Sequence, residues 1–269
     1  MRADVQALAD ACRTRHDPGV VAILAYGSCL RDKTSEGLID LYVLTRDFQA
    51  VSRNPLSRFF CRLVPPNVYY VEADGARGKY AVLPLSRFAQ MARAQNPYIW
   101  ARFGQPCAVV YATDQKPVEE ALAQCAATMW AEAAALSQAD DDALQALTRL
   151  FAATYATELR PESSARANVI VNSDAAFYAA AAAKHLGKNW RSVNTTPANW
   201  RTRRIIGKAL SVARLVKAGF TFQGGADYMA WKIERHSGVK IEITAWQRKH
   251  PVLGALSLLP RLLKKGAVR

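Results

Sequence analysis

Gly27 and Ser28 close an apolar run, and twelve residues after Ser28 a single carboxylate, Asp40, sits at the start of the next apolar run. Glycine lets backbone N–H groups approach an anion closely, because no Cβ stands in the way. A serine hydroxyl can donate to a phosphate oxygen. A carboxylate can hold Mg²⁺, which bridges phosphates and offsets charge on a leaving pyrophosphate. Together the three suit nucleotidyl transfer. They would also serve a plain strand corner, where glycine turns and aspartate caps.

The elements that must hold these residues are legible in the hydrophobic pattern. Val20–Tyr26 and Leu38–Thr45 are continuous β-branched and aromatic runs, which predict buried strands. Val5, Leu8, Ala9 and Cys12 have helical spacing, so a helix is expected over 3–16, ended by Asp17-Pro18-Gly19. Residues 67–73 and 105–113 predict two further strands. Residues 78–93 predict a short strand and then a helix capped by Ser86. This alternation makes residues 1–116 an α/β domain.

From Pro117 to about Arg160 the chain turns alanine-rich and helical, with a connection at Ser137–Asp142. A helix capped by Ser173 or Asp174 and stopped at Gly187 is apolar nearly all round, and so is expected to be central. Residues 200–219 predict a basic amphipathic helix, and residues 236–246 a short strand or hairpin arm. The chain thus divides into an α/β domain (1–116), a mainly helical, basic domain (117–245) and an amphipathic segment (246–269).

The charge is one-sided. Of 36 Lys and Arg, 18 fall within residues 184–269, against three acids there, Asp227, Glu234 and Glu242. Such a segment expects an anionic partner: nucleic acid, anionic lipid or a phosphorylated substrate. The last residues, "HPVLGALSLLPRLLKKGAVR", set leucines beside Arg261, Lys264, Lys265 and Arg269. That is the composition of an interfacial segment, or of a helix docked on a core. No run of 18 apolar residues predicts a spanning helix, and the first residues do not read as a secretory signal. Five dispersed cysteines without CxxC spacing predict reduced thiols in the cytoplasm rather than disulfides or a zinc site.

A strand ending in Gly-Ser, a loop and a strand with an inward carboxylate resembles nucleotidyltransferases related to polymerase β. Most of those carry Asp-x-Asp where this chain has Asp40-Leu41-Tyr42. The single-aspartate form resembles the mitochondrial translocator assembly and maintenance protein family, which are peripheral phosphatidate cytidylyltransferases. Three stretches carry the resemblance: "AYGSCLRDKTSEGLIDLYVL" (25–44), "GKYAVLPLSRFAQMARAQNPYIWARFGQPCAVV" (78–110) and "TYATELRPE" (154–162). The glycine usual after Gly-Ser is Cys29 here.

The resemblance implies a polymerase-β-like α/β nucleotidyltransferase domain followed by the helical domain and basic tail. It implies CTP and Mg²⁺, with phosphatidate met at an anionic membrane surface on the cytoplasmic side. Gly27, Ser28, Lys79 and Tyr80 would bind the nucleotide. Asp40 and Lys79 would be catalytic. Asp40 and Glu158 would hold the metal, with Asp47 as another carboxylate near in sequence. Arg160, together with Lys208 and Lys232 from the basic third, would meet the substrate phosphate. Nucleic acid is not the expected partner on this reading. Two alternatives stay open: another acceptor, or a non-catalytic module that binds nucleic acid through residues 184–269.

Overall fold

The structure is a computed structural model and describes residues 2–27, 38–158, 165–187, 190, 199–221 and 242–249. It is an α/β arrangement built on one mixed sheet. The strands are β1 (Val20–Tyr26), β2 (Ile39–Thr45), β3 (Asn67–Ala73), β4 (Ala76–Pro84) and β5 (Cys107–Ala112). They lie in the order β3-β4-β2-β1-β5. β1 runs antiparallel to β2 and β5, β3 antiparallel to β4, and β2 parallel to β4.

The central strands are buried on both faces, which explains their unbroken apolar runs. One face is covered by α1 (Ala3–His16), whose Leu8 reaches the sheet at Gly78. The side chain of His16, also on α1, is buried beside Tyr69 and Tyr80. The other face carries an aromatic cluster. Tyr26 and Tyr42 from the strands pack with Phe88 of α3 (Leu85–Met91) and Phe103 of α4 (Trp100–Phe103).

Between β2 and β4 the chain makes a crossover through α2 (Pro55–Leu63) and β3. Asn54 caps α2, accepting from the N–H groups of Leu56 and Ser57, and Pro55 supplies its first residue. After β5 every described element is helical: α5 (Gln115–Leu136), α6 (Ala143–Tyr155), α7 (Ala165–Ser173), α8 (Ala175–His185), α9 (Trp200–Thr221) and α10 (Ala245–Lys249). Asp114 caps α5, and Asp142 with Gln145 forms a capping box on α6. A single buried cluster runs from Val5 through the sheet to Ala182, so the helices and the sheet share one core.

α9 ties that assembly together through its inward side. Both Arg203 guanidinium nitrogens donate to Glu132 of α5, at 2.7 Å each. Gly207 lies so close to Thr157 that a Cβ there would meet the Thr157 carbonyl oxygen at 2.5 Å. Arg214 donates to the carbonyl of Pro65 at 3.1 Å. Lys217 donates to the carbonyls of Val64 and Pro66, and burial pulls its pKa down to about 8.

Several local expectations change. α2 was not foreseen, although Asn54-Pro55 is a helix-start signal. Ser86 lies inside α3, which starts after Pro84 without a side-chain cap. α8 buries only Tyr178 and Ala182, so it lies against the core rather than at its centre. Its apolar character comes from alanines, too small to demand burial on every side. Residues 242–244 are irregular and Ala245–Lys249 is helical, which replaces a hairpin arm at its C-terminal end. Of the interfacial segment expected over 246–269, residues 250–269 lie outside the described residues.

Candidate active site

Register decides which of the proposed residues meet. Asp40 stands directly opposite Tyr26 on β1 and Lys79 on β4, and Lys79 stands opposite Tyr70 on β3. Residues paired across a sheet point to the same face. Asp40 and Lys79 therefore share the face that carries the aromatic cluster. The Lys79 ammonium lies 3.2 Å from Asp40 Oδ1. The aspartate side chain is 22% exposed and the lysine 40%, so the pair sits at a mouth rather than in the core.

Gly27 ends β1 beside them with φ of +88°, in the left-handed region that favours glycine. A Cβ built on it would stand 3.2 Å from Asp40 Oδ2. The turn thus holds backbone against the carboxylate, and a Cβ there would crowd it. Ser28 lies outside the described residues.

Tyr80 is one residue past Lys79 and so belongs to the opposite face. It is fully buried under α1, and its hydroxyl lies 3.2 Å from His16 Nε2. His16 Nδ1 lies 3.2 Å from the Ala50 carbonyl, which needs a proton on Nδ1. The neutral ring then donates to Ala50 and accepts from Tyr80. Burial, the larger influence, depresses the histidine pKa. Tyr80 is therefore a core residue here, not a nucleotide contact.

Glu158 is also committed. Arg102 Nη2 donates to both of its oxygens, at 2.9 and 3.0 Å. Arg102 also donates to the Tyr98 carbonyl and stacks on the Tyr98 ring, with its guanidinium carbon 4.0 Å from the centroid. Burial works against its charge, but Glu158 and three surrounding tyrosines hold its pKa above the ordinary arginine value. A second guanidinium, Arg214, lies 3.7 Å from the same centroid. Two guanidiniums therefore pack against one aromatic ring. Tyr42 is near both, two residues along β2 from Asp40 and on the same face.

The site that emerges is a row at the end of the sheet, Lys79-Asp40-Tyr26, flanked by the Arg102–Tyr98–Arg214 stack. Lys208 is exposed on the far side of α9 from Gly207 and Arg214. Asp47 caps the turn that follows β2, accepting from the N–H groups of Gln49 and Ala50. Arg160 and Lys232 lie outside the described residues. Arg214 carried no role in the sequence reading. Its signal was the spacing of Arg203, Gly207, Arg214 and Lys217, which falls on one helix face.

A magnesium ion needs few protein oxygens when phosphates supply the rest of its shell. Asp40 fits such a role: it is a partly exposed carboxylate against a glycine corner that a Cβ would crowd. Glu158 fits poorly, because leaving Arg102 would strand a largely buried guanidinium. Among the described residues, no group of three or more His, Cys, Asp or Glu could hold a metal ion by protein ligands alone.

No family model matches the chain, and no curated protein matches it. One solved structure, the crystal structure of a nucleotidyltransferase-like protein from Exiguobacterium sibiricum, is 15% identical. The alignment covers 98% of this chain and 92% of that one, with a TM-score of 0.28. A score this low does not establish a shared fold.

Proposed function

We propose that the chain is a nucleotidyltransferase of polymerase-β-like architecture, and that its reaction is CTP plus phosphatidate giving CDP-diacylglycerol and pyrophosphate. The observation that carries the general reading is the Asp40–Lys79 pair set against the Gly27 corner at a sheet end. The specific substrates rest on the single-aspartate motif and the Lys79 block that resemble phosphatidate cytidylyltransferases.

The lipid phosphate oxygen attacks the α-phosphorus of CTP. A new P–O bond forms there, and the bond to the β-phosphate breaks to release pyrophosphate. The attacking phosphate is already ionised, so no protein nucleophile is required. This chain's residues supply position and charge. Gly27 brings backbone close to the triphosphate. Lys79 neutralises phosphate charge, and Arg214 adds positive charge to the neighbouring wall, where Arg102 is paired with Glu158. Asp40 would hold Mg²⁺, which when bound neutralises the phosphates and the leaving pyrophosphate.

Among the described residues no helix is long and apolar enough to cross a membrane. On this proposal the enzyme meets its lipid from the cytoplasmic surface. The test is formation of labelled CDP-lipid from CTP, Mg²⁺ and phosphatidate by the purified protein. No product, or equal product from Asp40→Ala, overturns the reading. Product with soluble phosphorylated acceptors but not with phosphatidate would keep the transferase and change the acceptor.

A further inference from the structure

α2 is amphipathic in an unusual sense. Its inward side buries Ser57 and Cys61, while Leu56, Phe59 and Leu63 face out, each more than half exposed. α9 repeats the pattern. At about 100° per residue, Val212, Leu215 and Val216 share its outward side, opposite Gly207, Arg214 and Lys217. Their exposures run from 49% for Val212 to 71% for Leu215. Arg214 and Lys217 hold the carbonyls of Val64, Pro65 and Pro66, just past the end of α2. Leu63 precedes that junction in sequence, and Val216 precedes Lys217. Each stripe is an exposed apolar surface of a kind rarely left without a partner.

The charges carried by the two helices are all of one sign. Neither α2 nor α9 contains an Asp or Glu. Arg58 and Arg62 flank the α2 stripe, and Arg201, Arg204 and Lys208 continue the outward side of α9. A second copy of this surface would be repelled by it, because a two-fold contact sets each patch against itself. The residues from 250 to the end carry Arg261, Lys264, Lys265 and Arg269 and no acid, so they too match its charge rather than complement it. Nucleic acid would be served by the cations and gain nothing from the leucines. An apolar centre with a cationic rim is complementary to one kind of partner, an anionic lipid surface.

We infer that the exposed stripes of α2 and α9 dock on an anionic membrane surface, with Leu56, Phe59, Leu63, Val212, Leu215 and Val216 entering the acyl boundary. Arg58, Arg62, Arg204 and Lys208 meet the headgroups. The inference rests on the proposed reaction only for the identity of the lipid substrate. Docking does not require phosphatidate and can be read without any transfer.

The full chain is sedimented with vesicles of phosphatidylcholine alone and of phosphatidylcholine with phosphatidylglycerol, at low and high salt. Binding to the anionic vesicles only, weakened by salt, is expected. Phe59→Ser with Leu215→Ser should lower that binding by about tenfold or more and leave the melting temperature unchanged. Arg62→Glu with Lys208→Glu should lower it as well. No binding by the wild type, or undiminished binding by both variants, overturns the proposal. So does a wild-type dimer that Phe59→Ser dissociates, or a melting temperature that falls with Phe59→Ser, since either means that protein covers the face. Vesicle binding with no CDP-lipid synthesis would instead overturn the reaction and keep the face.

Discussion

Asp40 and Lys79 occupy matching positions on two parallel strands, and their side chains meet at 3.2 Å at the sheet's end. The pair is partly exposed, so it contributes little to stability, within about 1 kcal/mol. Asp40→Asn should lower nucleotidyl transfer by about a hundredfold or more and leave the melting curve nearly unchanged. Lys79→Met should do the same with a smaller loss. A large drop in stability without a loss of turnover would give the pair a structural role instead.

Gly27→Ala tests the corner itself. A left-handed backbone with a Cβ costs on the order of 1 kcal/mol, and that Cβ would press on Asp40 Oδ2. Turnover should therefore fall far more than stability does. The check is kcat measured beside chemical denaturation of the same preparations.

Glu158 separates two roles. If it serves Arg102, Glu158→Gln destabilises the protein by about 3 kcal/mol, because it leaves a largely buried guanidinium without its charge partner. The magnesium concentration giving half-maximal rate should not move. A shift in that concentration, with little change in stability, would make Glu158 a metal ligand.

His16 gives the fold a predicted sensitivity to acid. Its native pKa is depressed by burial, so between that value and about 6.5 the unfolded chain binds a proton that the native chain does not. Stability contributed by neutral His16 is present above about pH 6.5 and is lost as pH falls below it. The loss is about 1.4 kcal/mol for each unit of depression. Denaturant melts of wild type and His16→Gln at pH 7.5 and 5.5 would show it: the wild type should lose more on acidification than the variant.

Strand existence was legible because β1, β2 and β3 are compact β-branched and aromatic runs. Residue faces were not, since nothing in a single strand tells Lys79 from Tyr80 until register is known. α2 escaped because its exposed Leu56, Phe59 and Leu63 mimic a core stripe on a helix too short to stand out. Asp40 and Lys79 could be singled out from motif chemistry, and their contact is what the sheet adds. Glu158 could not be separated from a metal ligand by spacing, because its partner Arg102 lies 56 positions away. Arg214 had a signal in its helix-face spacing, but its place beside Tyr98 is what the structure adds.

The grip of Arg214 and Lys217 on Val64, Pro65 and Pro66 bears on how the chain could be divided. Those carbonyls belong to the crossover that delivers β4, and so Lys79, to its place beside Asp40. A fragment cut before α9 would keep every described strand yet lose the cations that satisfy that crossover. The sheet half is thus not a portable cassette. Grafting it onto another acceptor-binding module would require carrying α9 along, and with it the exposed apolar stripe on its outward side.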